Sequence, residues 1–312
     1  MKTSSFLTRA CAVAALAAVA GAPMAARAAC DEVTFSDVGW TDITTTTSIA
    51  KHVLTGLGYD VDVKVLSVPV TFASLESDDV DVFLGNWIPA QNGAIQPYLD
   101  SGEIEQVTVN LEGTKYTLAV PTYLWEQGLQ SYGDIHKFAE GLDNKIYGIE
   151  PGNEGNAYLV SLTEANTHEL GDFEIVESSE QGMLAMVARA YKKEEPVVFL
   201  GWEPHPMNAN FSLKYLPGGE DFFGGEGVVH TVTRKGYVEE CPNVGKLLQQ
   251  MKFSLAMENE IMGKILDEGE DADDATAAWL KANPTVIEPW LEGVTTVDGE
   301  PGLPAVKAEL GL

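Results

Sequence analysis

The amino-acid sequence predicts an α/β fold made of about two domains. Short apolar strand patterns alternate with helical patterns along the chain, an order typical of α/β proteins. The 312 residues suffice for about two domains of ordinary size, and no Pro-, Gly- or Ser-rich linker divides them. Because such a linker is missing, we expect the chain to cross between the domains within its strands.

The first elements follow from local patterns between residues 33 and 84. Val61, Val63 and Val65 alternate with polar residues and so predict one face of a strand. The helical pattern before them ends at Gly58, a residue type that commonly follows a helix. The predicted strands are 33–38, 61–68 and 80–84, and the predicted helices are 44–57 and 72–76.

The second half repeats the alternation and then becomes helical. An apolar stripe on one face of a helix predicted at 181–192 is interpreted as core rather than as a ligand contact. Its members are Met183, Met186, Val187 and Ala190. The other predicted elements are strands at 145–149 and 196–200 and helices at 244–257, 258–266 and 275–282, the last of them stopped by Pro284.

Residues 1–28 are typical of a cleaved secretory signal peptide. Lys2 and Arg9 precede an apolar run at 10–22 that is too short to span a membrane, and Ala26-Arg27-Ala28 fits a small-x-small cleavage site. The alternative is an ordinary buried helix. With the leader removed we expect an exported, periplasmic protein.

The cysteines indicate a disulfide. Of the three, Cys11 lies in the leader, which leaves Cys30 and Cys241. An even pair in an exported chain suggests a bridge. A lipid-modified Cys30 is the alternative, although Arg27 stands where a lipoprotein signal has an aliphatic residue.

Net charge excludes whole classes of partner. There are 19 Lys and Arg against 47 Asp and Glu, a formal charge of −28. Such a surface repels nucleic acid and anionic lipid. It suits, weakly, a protein that binds a cationic or neutral small ligand, and no apolar run after the leader reaches the length of a membrane span.

A strand followed by Gly and Trp recurs three times. The stretches are Gly39-Trp40, Gly85-Asn86-Trp87 and Gly201-Trp202. In α/β sheets ligands bind beyond the carboxyl ends of strands, so these tryptophans are predicted to share one site. Converging aromatic faces attract a cation that has no hydrogen to donate. The alternative, that each Trp fills core space, is preferred for Trp125, Trp279 and Trp290.

Motifs for catalysis, metals and cofactors are missing from the sequence. It has no HExxH, GxSxG, P-loop or CxxC motif, and its five histidines lack metal-ligand spacing. Asp271 to Asp274 suggests calcium, but Ala275 stands where an oxygen ligand is needed, so a capped helix start is preferred. We therefore expect no enzyme, no metal and no cofactor.

At these residues the chain resembles the substrate-binding proteins of bacterial ABC transporters for quaternary ammonium compounds, and most closely their periplasmic choline-binding branch. The resemblance covers nearly the whole mature chain. It is carried by FSDVGWTDITTTT, DVKVLSVPVT, DVDVFLGNW, KYTLAV, KIYGIEPGNEGN, VESSEQGMLA, VVFLGWEPHPMNANF, ECPNVGKLLQ and FSLAMENEIMGKIL.

The resemblance implies a type II periplasmic-binding-protein fold, with two lobes, two hinge crossings and the ligand in the cleft. Lobe I would comprise 29–112 and 228–312, and lobe II 113–227. It implies a monomer that delivers choline to a membrane permease, and a Cys30–Cys241 disulfide. The implied aromatic box for the trimethylammonium group is Trp40, Trp87, Tyr116 and Trp202. The implied ligands of the choline hydroxyl are Asp42 and Asn153.

Other interpretations exist for three of these residues. Tyr116 could be an ordinary strand aromatic, Asp42 a helix N-cap and Asn153 a turn residue. If Asp42 faces the ligand, it favours choline over glycine betaine, because a carboxylate would be repelled there. A betaine or carnitine binder of the same family, and an exported enzyme acting on choline esters, remain the alternative functions.

Overall fold

A computed structural model describes residues 30–312, so the predicted signal peptide lies outside the described residues. The strands are β1 (Glu32–Asp37), β2 (Asp60–Val65), β3 (Val82–Ile88), β4 (Ile104–Pro121), β5 (Lys145–Tyr147), β6 (Glu174–Val176), β7 (Phe199–Glu203), β8 (Leu213–Tyr215) and β9 (Gly227–Arg234).

The helices alternate with these strands and then dominate the C-terminal part. They are α1 (Thr41–Gly56), α2 (Val68–Glu76), α3 (Asn92–Ser101), α4 (Thr122–Glu126), α5 (Glu154–Glu164), α6 (Glu180–Lys193), α7 (Met207–Asn210), α8 (Glu220–Phe223), α9 (Tyr237–Glu240), α10 (Pro242–Gln250), α11 (Leu255–Leu266), α12 (Ala272–Ala282), α13 (Ile287–Trp290) and α14 (Gly302–Glu309). Short 3₁₀ helices lie at Tyr132–Phe138 and Thr167–Glu169.

The strands form one mixed sheet in the order β2-β1-β3-β9-β4-β7-β5-β6, with β8 paired to β4. β1 runs parallel to β2 and β3, and β5 runs parallel to β6 and β7. The long strand β4 joins the two parts, because its first residues pair with β9 and its later residues, from Lys115, pair with β7. The α/β prediction is confirmed, and strands carry the chain from one part to the other.

Helix α1 is an interior helix. Ile49, Ala50, Val53 and Leu54 are all fully buried. It packs against α11, α12 and α14, so the C-terminal helices return to cover the N-terminal part of the chain. Its first turn carries Asp42, which lines the candidate site described below.

The structure corrects several predicted boundaries, and two of these corrections have a clear local cause. The strand at 61–68 ends at Val65, because Pro69 stands in the first turn of α2, where its fixed φ and missing N–H suit a helix start. The single helix at 244–257 is two helices. Phe253 donates its N–H to the Asn110 carbonyl across the break, and Ser254 caps α11 by accepting from the Met257 N–H.

Other predictions hold. Asp271 caps α12 through its carboxylate, which confirms the capped helix start. Of the predicted core stripe, Met183 and Val187 are buried, whereas Met186 and Ala190 are half-buried. The disulfide between Cys30 and Cys241 is formed and leaves Cys30 without a free thiol for lipid attachment.

Within residues 30–312, none of the helices has the length and apolar character that crossing a membrane requires.

Candidate ligand-binding site

All six residues proposed from the sequence line one cavity near the middle of the sheet. The lining consists of Trp40, Asp42, Trp87, Ala90, Gln91, Tyr116, Ile149, Asn153, Glu154 and Trp202. The cavity is mainly apolar, with acids and amides at intervals. The resemblance therefore selected residues that the fold brings together from β3, β4, β7 and the starts of two helices.

The three tryptophans reach the cavity by different routes. Trp40 follows β1 and sits at the N-cap position of α1, after Gly39, whose φ of +80° suits a residue without a Cβ. Trp87 and Trp202 lie inside β3 and β7. The expectation that Gly and Trp follow the strand is therefore right for β1 and wrong for the other two.

Tyr116 on β4 connects the tryptophans. Its ring lies 6.3 Å from that of Trp87 and 6.4 Å from that of Trp202, with both pairs edge-to-face. Phe223 packs against Tyr116 at 4.9 Å on another side. Edge-to-face packing fixes the orientation of these rings relative to one another in this closed arrangement of the cavity.

Asn153 is locked in place by its own helix. It caps α5, and its Oδ1 accepts from the Gly155 and Asn156 N–H groups and from the Tyr116 hydroxyl at 2.8 Å. The turn-residue interpretation is thus replaced by an N-cap role. Because Oδ1 is fully used as an acceptor, Asn153 can interact with a ligand only as a donor, through Nδ2.

Glycine at position 155 permits this contact. A Cβ there would lie 2.3 Å from the Tyr116 hydroxyl oxygen and 2.9 Å from Asn153 Oδ1. No side chain fits in that space without displacing one of the two. Gly155 is a residue that the sequence analysis missed, since a single glycine in a polar loop carries no pattern of its own.

Asp42 is the buried acid of the cavity. It lies in the first turn of α1, whose N-cap position belongs to Trp40, so the N-cap interpretation is wrong. Its Oδ2 accepts from the Trp87 indole N–H at 3.1 Å, and its Oδ1 has no hydrogen-bond partner among residues 30–312. Burial, and then the negative charge of Glu180, raise the pKa of Asp42 to about 8.

Further carboxylates surround the cavity. Glu154 lines it, and burial raises its pKa to about 7, with the Glu150 charge adding to the shift. Burial likewise raises the pKa of Glu150. Glu258 on α11 is buried near Asp42, and burial followed by the Asp42 charge holds its pKa well above the usual range. This environment favours a ligand that carries positive charge.

Gln91 and Ile149 complete the wall and were not proposed from the sequence. Gln91 accepts from Asn86 Nδ2 at 3.0 Å and donates to the Gly85 carbonyl, which fixes its amide beside Trp87. Glu154 was also not proposed from the sequence, although it directly follows Asn153. Nothing in local composition separates such lining residues from ordinary loop residues.

Comparison with known proteins places this geometry in a family. The chain is similar to a solved ABC-transporter choline-binding protein in complex with choline, with 59% identity and a TM-score of 0.89 over 91% of this chain and 99% of that chain. It is also similar to an ABC-transporter choline-binding protein in an unliganded semi-closed conformation, with 60% identity and a TM-score of 0.84 over 91% and 100% of the two chains.

A more distant relative is the glycine betaine/carnitine transport binding protein GbuC of Listeria monocytogenes. It is 29% identical over 174 residues, which are 55% of this chain and 57% of that protein. The solved relatives confirm the predicted type II periplasmic-binding-protein fold. A family model for the substrate-binding domain of the ABC-type glycine betaine transport system matches residues 31–282. Because that match covers most of the chain, the protein belongs to this family of transporter substrate-binding domains.

Proposed function

We propose that the protein is the choline receptor of an ABC importer and delivers choline to the membrane permease. The observation that carries the proposal is a cavity walled by three tryptophans and a tyrosine around a buried, unsatisfied carboxylate oxygen of Asp42. The similarity to a choline-binding protein solved with choline supports it.

In this proposal the trimethylammonium group lies among Trp40, Trp87, Tyr116 and Trp202. Each cation–π contact contributes about 0.5–2 kcal/mol, so four contacts supply a large share of the roughly 8 kcal/mol that micromolar affinity requires. The choline hydroxyl donates to Asp42 Oδ1 and accepts from Asn153 Nδ2. The Asp42 oxygen that lacks a partner in the structure is thereby satisfied.

Asp42 favours choline over glycine betaine. Betaine would set a carboxylate against Asp42 in a site with little water, and none of the described cavity-lining residues is basic. Choline has no negative charge and brings a hydroxyl that Asp42 can accept. A betaine or carnitine binder of the same family is the alternative that this argument disfavours.

We further propose the division into lobe I (29–112 and 228–312) and lobe II (113–227). The change of strand partners along β4 supports these limits, since β4 pairs with β9 up to Thr114 and with β7 from Lys115. The cavity then lies in the cleft, with Trp40 and Trp87 from lobe I and Tyr116 and Trp202 from lobe II.

A monomeric, periplasmic receptor without enzymatic activity completes the proposal. Family membership supports a transport role, and the leader-like residues 1–28 support export. No cofactor is required, because the aromatic walls together with Asp42 and Asn153 account for ligand capture. The rival function, hydrolysis of choline esters, would need an activated nucleophile beside the box.

Titration calorimetry tests the proposal. The mature protein is unfolded and refolded to remove bound ligand, then titrated separately with choline, glycine betaine and acetylcholine. We expect tight binding of choline and clearly weaker binding of betaine. Equal or tighter betaine binding would overturn the choline assignment, and release of acetate from acetylcholine would overturn the non-enzymatic role.

A further inference from the structure

Helix α1 carries two cavity residues but begins without a cap of its own. Trp40 occupies the N-cap position, and its side chain makes no capping hydrogen bond. The N–H groups of a first helical turn have no partner within the helix. When they are buried, they therefore need an acceptor from elsewhere. Thr41, the first residue of the helix, is buried, so its N–H must find a partner elsewhere in the fold.

Glu180 supplies that partner from a distance of 139 residues along the chain. Its Oε2 accepts from the Thr41 N–H at 2.9 Å and from the Thr41 hydroxyl at 2.8 Å. Glu180 is itself buried and begins α6. A carboxylate at a helix N-terminus also interacts favourably with the helix dipole.

The other oxygen of Glu180 is held by His205. His205 Nε2 lies 2.7 Å from Glu180 Oε1, and both side chains are almost fully buried. The Met207 N–H donates to His205 Nδ1 at 2.9 Å. Because Nδ1 accepts, the ring proton is on Nε2, so a neutral His205 donates to the Glu180 carboxylate.

This chain of contacts links two walls of the aromatic box. Thr41 directly follows Trp40 and precedes Asp42, both of which line the cavity. The ring of His205 packs edge-to-face on Trp202, with 4.9 Å between ring centroids. Any displacement of Thr41 from Glu180 therefore separates the Trp40 side of the cavity from the Trp202 side.

We propose that Glu180, held by His205, is a positioning residue that latches the two lobes around bound ligand by capping helix α1. The inference rests on the proposed function and its lobe division, in which Thr41 belongs to lobe I and Glu180 with His205 to lobe II. The two Thr41–Glu180 hydrogen bonds then cross the cleft. They form on closure, and they break when the cleft opens to water.

A latch of this kind acts on ligand release. Association begins from the open form, in which the Thr41–Glu180 bonds are not made. Dissociation requires them to break. Loss of the latch should therefore accelerate choline dissociation and leave the association rate and the stability of the ligand-free protein little changed.

The Glu180→Gln variant tests this, since the amide keeps the size but cannot accept from both Thr41 and His205. Stopped-flow tryptophan fluorescence gives the two rate constants, and small-angle X-ray scattering with saturating choline gives the closed fraction. We expect dissociation about ten- to a hundredfold faster, the range for hydrogen bonds to a charged group, and a smaller closed fraction. Glu164→Gln is the matched control, because Glu164 is an exposed acid at the end of α5 in the same lobe.

Thr41→Val is the second variant and removes only the hydroxyl donor, so it covers the case in which Glu180→Gln folds poorly. It should shift the dissociation rate in the same direction by a smaller factor. Unaltered dissociation in both variants, or a lowered melting temperature of the ligand-free protein with slower association, overturns the latch while the proposed function stands. Failure of the unaltered protein to bind choline overturns the proposed function, and the latch with it.

Discussion

In the proposed function, Asp42 is the side chain that distinguishes choline from glycine betaine. Its replacement by Asn preserves size and one acceptor but removes the negative charge. We expect Asp42→Asn to weaken choline binding about ten- to a hundredfold, because hydrogen bonds to charged groups contribute about 1.5–3 kcal/mol. The preference for choline over betaine should narrow at the same time. Calorimetric titration of both ligands measures the two affinities.

The control for this variant is Asp62→Asn, which removes the same charge from an exposed position on β2. It should leave both affinities unchanged. If the ratio of the choline and betaine affinities is the same in Asp42→Asn as in the unaltered protein, Asp42 does not face the ligand.

Gly155 offers a second test at the same scale. A methyl group there would stand 2.3 Å from the Tyr116 hydroxyl oxygen, so Gly155→Ala must displace Tyr116 or Asn153. We expect choline affinity to fall by about tenfold or more, since a lost hydrogen bond costs about 0.5–1.5 kcal/mol and the ring also moves. Gly93→Ala is the control, because nothing lies within 4 Å of the added methyl. Equal affinities in the two variants would contradict the proposed role of the Tyr116–Asn153 bond.

At the scale of elements, apolar periodicity predicted those helices and strands whose signal lies within the element itself. Helix α1 and strands β1 and β5 were predicted from local apolar patterns and, for α1, from the glycine that follows the helix. The long strand β4 was not foreseen, since it pairs with β9 in one part and β7 in another and neither partner is close in sequence. The break between α10 and α11 also depends on a distant group, the Asn110 carbonyl.

The site residues likewise divide into those with a local sequence signal and those without one. Trp40, Trp87 and Trp202 could be proposed from a repeated pattern, whereas Tyr116, Asp42 and Asn153 came only from the family resemblance. Neither the repeated pattern nor the family resemblance identified Glu180. Its role depends on contacts with Thr41 and His205, which lie in separate elements, and no spacing in the sequence indicates such contacts.

The Cys30–Cys241 disulfide is an element-level constraint, since it ties the start of β1 to the junction of α9 and α10 across 211 residues. Replacing both cysteines by Ala should lower the free energy of unfolding by about 2–5 kcal/mol, the usual effect of losing a native disulfide. Choline affinity should not change, because neither cysteine lines the cavity. Thermal and denaturant unfolding measure the loss.

Reduction of the unaltered protein provides the matched comparison. It breaks the same bond without altering the buried packing around Cys241. The reduced protein and the double variant should unfold at similar temperatures, both below that of the oxidised protein. Equal stability of all three forms would show that the bond contributes nothing to the fold.

At the scale of the whole molecule, the proposed two-lobed arrangement implies that ionised carboxylates near the cavity oppose closure until a cation enters. Asp42, Glu150, Glu154 and Glu258 come from three separate segments, and all have raised pKa values. Burying them together is unfavourable when they are ionised. In the proposed function, a quaternary ammonium group supplies the missing positive charge inside the box, so we expect ligand capture and lobe closure to favour each other.

This charge arrangement predicts that choline binding depends on pH. The pKa of Asp42 is about 8 in the closed, ligand-free form, whereas the ordinary pKa of an aspartate is 3.8. Asp42 is therefore largely protonated in that form at pH 7. The closed form therefore binds more protons than the unfolded chain between those two values, and its stability falls as pH rises through that window. Glu154, with a pKa of about 7, acts in the same direction.

Choline is expected to shift Asp42 towards its ionised form, because the positive charge of the ligand favours the carboxylate. We expect choline affinity to rise between pH 6 and pH 8, with release of protons on binding at pH 7. Betaine affinity should fall over the same range, since its carboxylate is tolerated only beside protonated Asp42. Calorimetry in two buffers of different ionisation enthalpy counts the released protons, and Asp42→Asn should abolish most of the release. Binding without proton release at any pH in this range would mean that Asp42 is already ionised in the ligand-free protein, and it would contradict the predicted coupling between choline binding and the protonation of Asp42.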